Sequence, residues 1–125
     1  MPKLTDPWFE AHFYGEITET SYHFLDSIEG AQGLWLWCPC GFGRLEFPLE
    51  GPRPHGICVP FQNPRNALPC PPNHGPFSKK TGSHPRWTMS GSSLEDLTLS
   101  PSIDVGGGRG GTSCWHGFIT GGEVR

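Results

Sequence analysis

Glycine and proline set the strongest limit on what this chain can fold into. The 125 residues include 18 Gly and 14 Pro, and ten of the prolines fall between Pro48 and Pro85. Because proline lacks the N–H that a sheet ladder needs, we expect an irregular, proline-rich excursion at about 48–86. The 8 Phe, 5 Trp and 2 Tyr favour a folded chain, since disordered chains lack such apolar side chains. The sequence therefore predicts a single loop-rich domain over 1–125.

Short apolar segments between Gly and Pro predict a mainly β fold, a small antiparallel sheet with one short N-terminal helix. The helix is expected over 6–15, where Asp6 is an N-cap, Pro7 suits the first turn and Gly15 ends it. Gly121-Gly122 is typical of a tight turn that returns the chain as a closing strand. The other predicted strands cover 18–25, 34–38, 44–49, 56–61, 86–90 and 114–120.

The charge distribution is uneven although the net charge is only −3. Residues 1–50 hold eight acidic side chains against Lys3 and Arg44, whereas residues 51–94 hold no acid, five Lys or Arg and three His. The second segment is either a basic patch for an acidic partner or a solvated loop. The overall charge gives no support for general binding to nucleic acid or to an anionic membrane.

The longest apolar run, 34–38, is far too short to span a membrane. The N-terminus lacks the apolar core of a signal peptide. We therefore expect a cytoplasmic protein, and disulfides are uncommon in the cytoplasm. Five cysteines also make an odd count, so thiols remain available for a metal.

Two short motifs carry the ligand chemistry of a metal site, Cys38-Pro-Cys40-Gly and Cys114-Trp-His116-Gly. Each places two ligands at i and i+2, which share one face of a strand. The Pro and Gly residues of the motifs provide the bend that lets each pair converge. Three thiolates and one imidazole are a common tetrahedral zinc shell, so we predict one Zn²⁺ per chain. The alternative is that the cysteines pack as small apolar side chains.

The role of this zinc is left open by the residues. A shell closed by all four ligands would be structural, and zinc binding would then contribute to folding. If His116 is off the metal, three thiolates plus water could support hydrolysis, with His116 or Glu46 as the proton carrier. His55 and Cys58 could also join the site. Cys70 carries ligand chemistry within the proline-rich excursion.

Ser100-Pro-Ser102 has two interpretations. Ser102 could present its hydroxyl to the zinc site or to a substrate backbone. The sequence favours the simpler interpretation, a turn held by local side-chain hydrogen bonds.

The C-terminal part of the chain includes the segments Leu-Ser-Pro-Ser-Ile and Cys-Trp-His-Gly-Phe-Ile, within residues 87–103 and 114–124. These residues resemble a small phage and prokaryotic family of unknown function. Its members are often mislabelled ammonia monooxygenase in phage genomes, and some occur in bacterial ubiquitin-like conjugation operons. The resemblance covers roughly 34–125 and includes Cys38-Pro-Cys-Gly and His55. It implies a compact β-rich domain with one zinc on Cys38, Cys40, Cys114 and His116, in a prokaryotic or phage-infected cell.

Two functions follow from these observations. The first is a zinc-stabilised protein that acts by binding a protein partner, in an accessory or host-interference role. The alternative, implied by the resemblance, is a zinc-dependent hydrolase of peptidase type acting on a ubiquitin-like or other protein substrate. Its candidate catalytic residues are His55, Ser102 and Glu46, with His116 beside them.

Overall fold

The computed structural model describes residues 2–17, 22–39, 56–62, 86–105 and 115–125. Within these ranges, eight strands form one sheet in the order β2-β1-β3-β4-β5-β6-β7-β8. Neighbouring strands are antiparallel except for β4 and β5, which run in parallel. The mainly β fold is confirmed. The strands are β1 (His12–Ile17), β2 (Tyr22–Leu25), β3 (Gly33–Trp37), β4 (Gly56–Gln62), β5 (Trp87–Ser90), β6 (Thr98–Val105), β7 (Trp115–Thr120) and β8 (Glu123–Val124).

The predicted helix over 6–15 is wrong for most of its length. A 3-10 helix covers Pro7–Phe9, and β1 follows it. Glu10 ends this helix in a left-handed backbone conformation, φ 44° and ψ 42°, and its N–H donates to the Pro7 carbonyl. A helix of two turns is marginal in isolation. The strand is favoured because β1 pairs with a neighbour on each side, β2 and β3.

The other strand predictions divide into three groups. Those at 34–38, 56–61, 86–90 and 114–120 correspond to β3, β4, β5 and β7, and the C-terminal hairpin is confirmed. The prediction at 18–25 overlaps β2 in its second half, and the one at 44–49 lies outside the described residues. The sequence missed β6, because Pro101 between two serines is typical of a turn.

One hydrophobic core lies against the inner face of the sheet. It draws on the N-terminal segment as well as on the strands, since Leu4 and Phe9 are at most 1% exposed. The N-terminal segment also covers β8: the Leu4 N–H donates to the Gly122 carbonyl at 2.8 Å, and Val124 donates to Pro2 at 2.8 Å. This pairing protects a sheet edge that would otherwise expose its backbone. The described residues contain no helix with the length and apolar character of a membrane span.

Strand directions bring two distant parts of the sequence to the same end of the sheet. β3 ends at Trp37, opposite Gly56 of β4, and β7 begins at Trp115, opposite Val105 of β6. Because β4 and β5 are parallel and the other pairs antiparallel, β3 ends at the same end of the sheet from which β7 begins, with β4, β5 and β6 between them. Cys38, which follows β3, therefore lies at the end of the sheet from which β7 starts.

The loop between β5 and β6 is organised by one carboxylate. The backbone N–H groups of Ser92 and Ser93 donate to Oδ1 of Asp96 at 2.9 and 2.8 Å. These bonds favour the ionised carboxylate and hold the pKa of Asp96 below its ordinary value of 3.8.

We expect Asp96→Ala to lower the free energy of unfolding at pH 6, and this difference from wild type to shrink at pH 3. The pKa is depressed in the folded state, so the carboxylate stabilises the fold above its unfolded pKa. That contribution is lost as the pH falls through the folded pKa. Urea unfolding at both pH values measures the effect, with the exposed neighbour Glu95→Ala as the control. Equal losses for Asp96→Ala at pH 6 and pH 3 would contradict it.

Candidate active site

The outer faces of β6 and β7 carry a group of polar side chains. Side chains alternate along each strand, so Ile103 and Gly117 are buried while their neighbours point outward. Ser102 is half-buried, and Asp104 and His116 are exposed. A hydroxyl, a carboxylate and an imidazole therefore share one small area of the outer face.

Ser102 and His116 form a direct side-chain hydrogen bond. Oγ of Ser102 lies 3.0 Å from Nε2 of His116. In the tautomer with the ring proton on Nδ1, the hydroxyl donates and Nε2 accepts. A serine hydroxyl within hydrogen-bond reach of an imidazole is the arrangement that activates a serine nucleophile.

A bulge in β6 brings this hydroxyl to the imidazole. Leu99 pairs with Ile119 and Ile103 pairs with Gly117, so the register shifts by two residues between the two pairs. The three β6 residues between these pairs face a single β7 residue, Phe118. Bulges re-aim side chains and are common beside active sites.

The backbone of the bulge is anchored from the neighbouring strand. Nε1–H of Trp87, a side chain only 6% exposed, donates to the Ser102 carbonyl at 3.2 Å. This bond satisfies the indole and fixes the backbone of Ser102. The Ser102 hydroxyl remains available on the outer face.

Asp104 lies directly across from His116 in the strand register. Side chains at paired positions point to the same face, with Cβ atoms roughly 4.5–5.5 Å apart. A carboxylate is therefore placed beside the imidazole that bonds Ser102. The two residues are thus direct neighbours across the strand pair, on the face that carries Ser102.

The structure brings together two of the sequence-predicted site residues, Ser102 and His116. It corrects the interpretation of residues 100–102 as a simple turn, because they form the bulge within β6. Cys38 is described and fully buried, and Cys58 lies half-buried in β4. The remaining predicted residues lie outside the described ranges: Cys40, Glu46, His55, Cys70 and Cys114.

Sequence reasoning missed Asp104 and Phe118. The signal available for both was the i, i+2 spacing, Ser102 to Asp104 and His116 to Phe118, which places each pair on one strand face. That signal could be used only with β6 recognised as a strand.

The predicted zinc ligands are only partly described. In the part of the chain that the structure describes, no three His, Cys, Asp or Glu side chains gather as a metal site. His116 adds a constraint, because its Nε2 is bonded to Ser102 and only Nδ1 is left for a metal. With Nδ1 on zinc, Nε2 would carry the proton and could not accept one from Ser102. Zinc ligation and base catalysis by His116 therefore exclude each other.

Residues 66–125 match a family model described as bacterial ubiquitination-like system serine protease (BubE). The match covers just under half of the chain and includes Ser102, Asp104 and His116. It links this part of the chain to ubiquitination-like systems, in agreement with the resemblance seen in the sequence. Comparisons with curated proteins and with solved structures found no match.

Proposed function

We propose that this chain is a serine-type peptidase that cleaves a protein substrate in a bacterial ubiquitination-like system. The observation that carries the proposal is the 3.0 Å hydrogen bond between Ser102 and His116. The family match supports it, since the description specifies a serine protease and the matched residues contain both side chains.

Ser102 is the nucleophile and His116 the general base in this mechanism. Nε2 accepts the hydroxyl proton as Oγ bonds to the scissile carbonyl carbon. The C–N bond then breaks, the leaving amine takes the proton from His116, and an ester on Ser102 remains. Water loses a proton to His116 as it attacks this ester, and the released Ser102 oxygen recovers that proton.

Asp104 is proposed as the residue that positions His116. Its carboxylate lies across the strand pair from the imidazole, on the same face. Within hydrogen-bond reach of Nδ1–H, this carboxylate would hold the tautomer in which Nε2 is free to accept the Ser102 proton, and it would stabilise the imidazolium that forms.

The openness of the site suits a macromolecular substrate. His116 is exposed and Ser102 is half-buried on the outer face of the sheet. An extended segment or tail of a folded protein can therefore reach Ser102 without unfolding of the substrate. This favours hydrolysis of a protein over hydrolysis of a small metabolite.

We further propose that zinc is structural, with the thiolates of Cys38, Cys40 and Cys114 as three of its ligands and His55 or Cys58 as the fourth ligand that closes the shell. Bound there, it would join the chain after β3 to the chain before β7. The preference of zinc for thiolates supports this assignment. The chain after β3 and the chain before β7 lie at the same end of the sheet, and these segments must reach across β4, β5 and β6 to share one metal. His116 is then kept for Ser102.

Two substitutions separate the structural zinc from the catalytic imidazole. We expect Cys38→Ser to lose most of the bound zinc and to lower stability, because zinc binding is coupled to folding. We expect His116→Gln to keep one zinc per chain and to lose hydrolysis. Elemental analysis and thermal unfolding of both variants test this. Loss of zinc from folded His116→Gln would show instead that His116 is a metal ligand.

The protein-binding role expected from the sequence stays a prediction. The alternative expected from the sequence, a zinc-dependent hydrolase, differs from the proposed serine peptidase in the kind of inhibitor that stops it. The purified full chain is incubated with a ubiquitin-like protein extended at its C-terminus, with and without phenylmethylsulfonyl fluoride. We expect cleavage that this serine-directed reagent abolishes. Cleavage that resists the reagent, and stops on metal removal without unfolding, would favour the zinc-dependent alternative.

A further inference from the structure

Phe118 is the most exposed large apolar side chain among the described residues. Its exposed fraction is 52%, and the next is Phe24 at 44%. Phe24 stacks on His12 with ring centroids 4.7 Å apart, whereas the Phe118 ring has no aromatic partner in the described ranges. Isolated exposed apolar side chains are common on protein surfaces, so exposure alone does not mark Phe118 as a binding residue.

That position is beside the Ser102–His116 pair. Phe118 lies two residues after His116 on the same face of β7, roughly 7 Å along the strand. It is also the single β7 residue that faces the bulge containing Ser102. The ring thus borders the place where a scissile bond must lie to be attacked by Ser102.

The backbone on either side of Phe118 is held firmly. Its N–H donates to the Arg125 carbonyl at 3.2 Å, and the Arg125 N–H donates back at 2.9 Å. The flanking residues Gly117 and Ile119 are buried on the inner face. The ring is therefore presented to solvent by a fixed strand, and its binding surface is preorganised.

We propose that Phe118 is a specificity-determining residue that binds a bulky apolar side chain of the substrate at or next to the cleaved bond. This inference rests on the proposed function and adds a substrate class, a polypeptide segment with a large apolar residue at the cleavage site. Contact between the two apolar groups removes both from water, which favours such substrates over polar ones.

The test uses fluorogenic peptides that differ at one position on either side of the cleaved bond, Leu or Phe against Ser. For the wild type we expect kcat/KM to favour the apolar peptides by about 10-fold or more. Phe118→Ala should bring the ratio of kcat/KM between apolar and polar peptides close to one, mainly by raising KM for the apolar peptides. Phe118→Leu should retain most of the preference. Phe24→Ala is the matched control, and it should keep the wild-type ratio.

The outcomes separate the two proposals. Cleavage by Phe118→Ala with an unchanged ratio would overturn the role of Phe118 and leave the serine mechanism standing. The wild type could instead be a dimer that Phe118→Ala converts to monomers while the kcat/KM ratio of apolar to polar peptides stays unchanged. That result would overturn the specificity role and show that a second copy of the chain covers Phe118. No cleavage of any peptide by the wild type, and no reaction of Ser102 with a serine-directed reagent, would overturn both.

Discussion

Replacing Ser102 by alanine should abolish hydrolysis while the protein stays folded. The substitution removes the nucleophilic oxygen, and His116 alone cannot form the covalent ester. We expect kcat to fall by at least about 10³-fold, as for nucleophiles removed from serine proteases. Among the described residues, the half-buried hydroxyl bonds to an exposed imidazole alone, so its loss should cost little stability. Steady-state cleavage of the extended ubiquitin-like protein and thermal unfolding measure the two effects.

Ser100→Ala is the matched control for Ser102→Ala. Ser100 lies in the same bulge, so Ser100→Ala keeps the backbone of the bulge and removes only an exposed hydroxyl at the position that pairs with Thr88 of β5. Its replacement should leave the cleavage rate within a factor of about two, since a neutral surface change rarely alters transition-state binding. If Ser102→Ala retained a tenth or more of the wild-type rate, Ser102 would not be the nucleophile.

Gly117→Ala should give the largest loss of stability among single substitutions near the site. A Cβ at this position would overlap the Arg125 carbonyl oxygen and would lie 2.7 Å from the Trp115 ring. The carbonyl belongs to the backbone pair that holds the C-terminal strand against β7, so it cannot move without breaking that pair. We expect a loss of about 3 kcal/mol in the free energy of unfolding, typical of severe overpacking. Urea unfolding at neutral pH measures it.

Gly15→Ala is the control for the glycine prediction. Gly15 is also a buried strand glycine, but a Cβ there would lie 3.3 Å from the end of the flexible Leu25 side chain. That side chain can shift, so we expect a change below about 1 kcal/mol. A Gly117→Ala variant as stable as Gly15→Ala would contradict the described pairing of the C-terminal segment with β7.

Local sequence patterns predicted most of the strands but not the N-terminal region. Gly121-Gly122 encodes its hairpin directly, since both residues adopt positive φ, 56° and 77°. The segment at 6–15 carries helix signals that are equally local, yet sheet pairing of β1 on both sides overrides them. β6 was not predicted because it contains Pro101. A proline within a strand is tolerated at a bulge, and local sequence patterns do not predict where a bulge lies.

The candidate site was predictable as separate residues and not as a pair. Ser102 and His116 were both recognised as chemically capable, but they are fourteen residues apart, and their contact depends on the β6–β7 register. That register includes a two-residue shift set by tertiary pairing. The sequence therefore assigned His116 to zinc from its spacing to Cys114, while the fold places its Nε2 on a serine hydroxyl.

The measurement that tests the central claim most directly is the site of reaction with a fluorophosphonate probe. The full chain is labelled, digested and mapped by mass spectrometry, beside the Ser100→Ala and His116→Gln variants. A reactive dyad predicts one major adduct on Ser102, equal labelling of Ser100→Ala, and much slower labelling of folded His116→Gln. Folded wild-type protein with no adduct on Ser102, or labelling that is indifferent to His116→Gln, would contradict the serine mechanism.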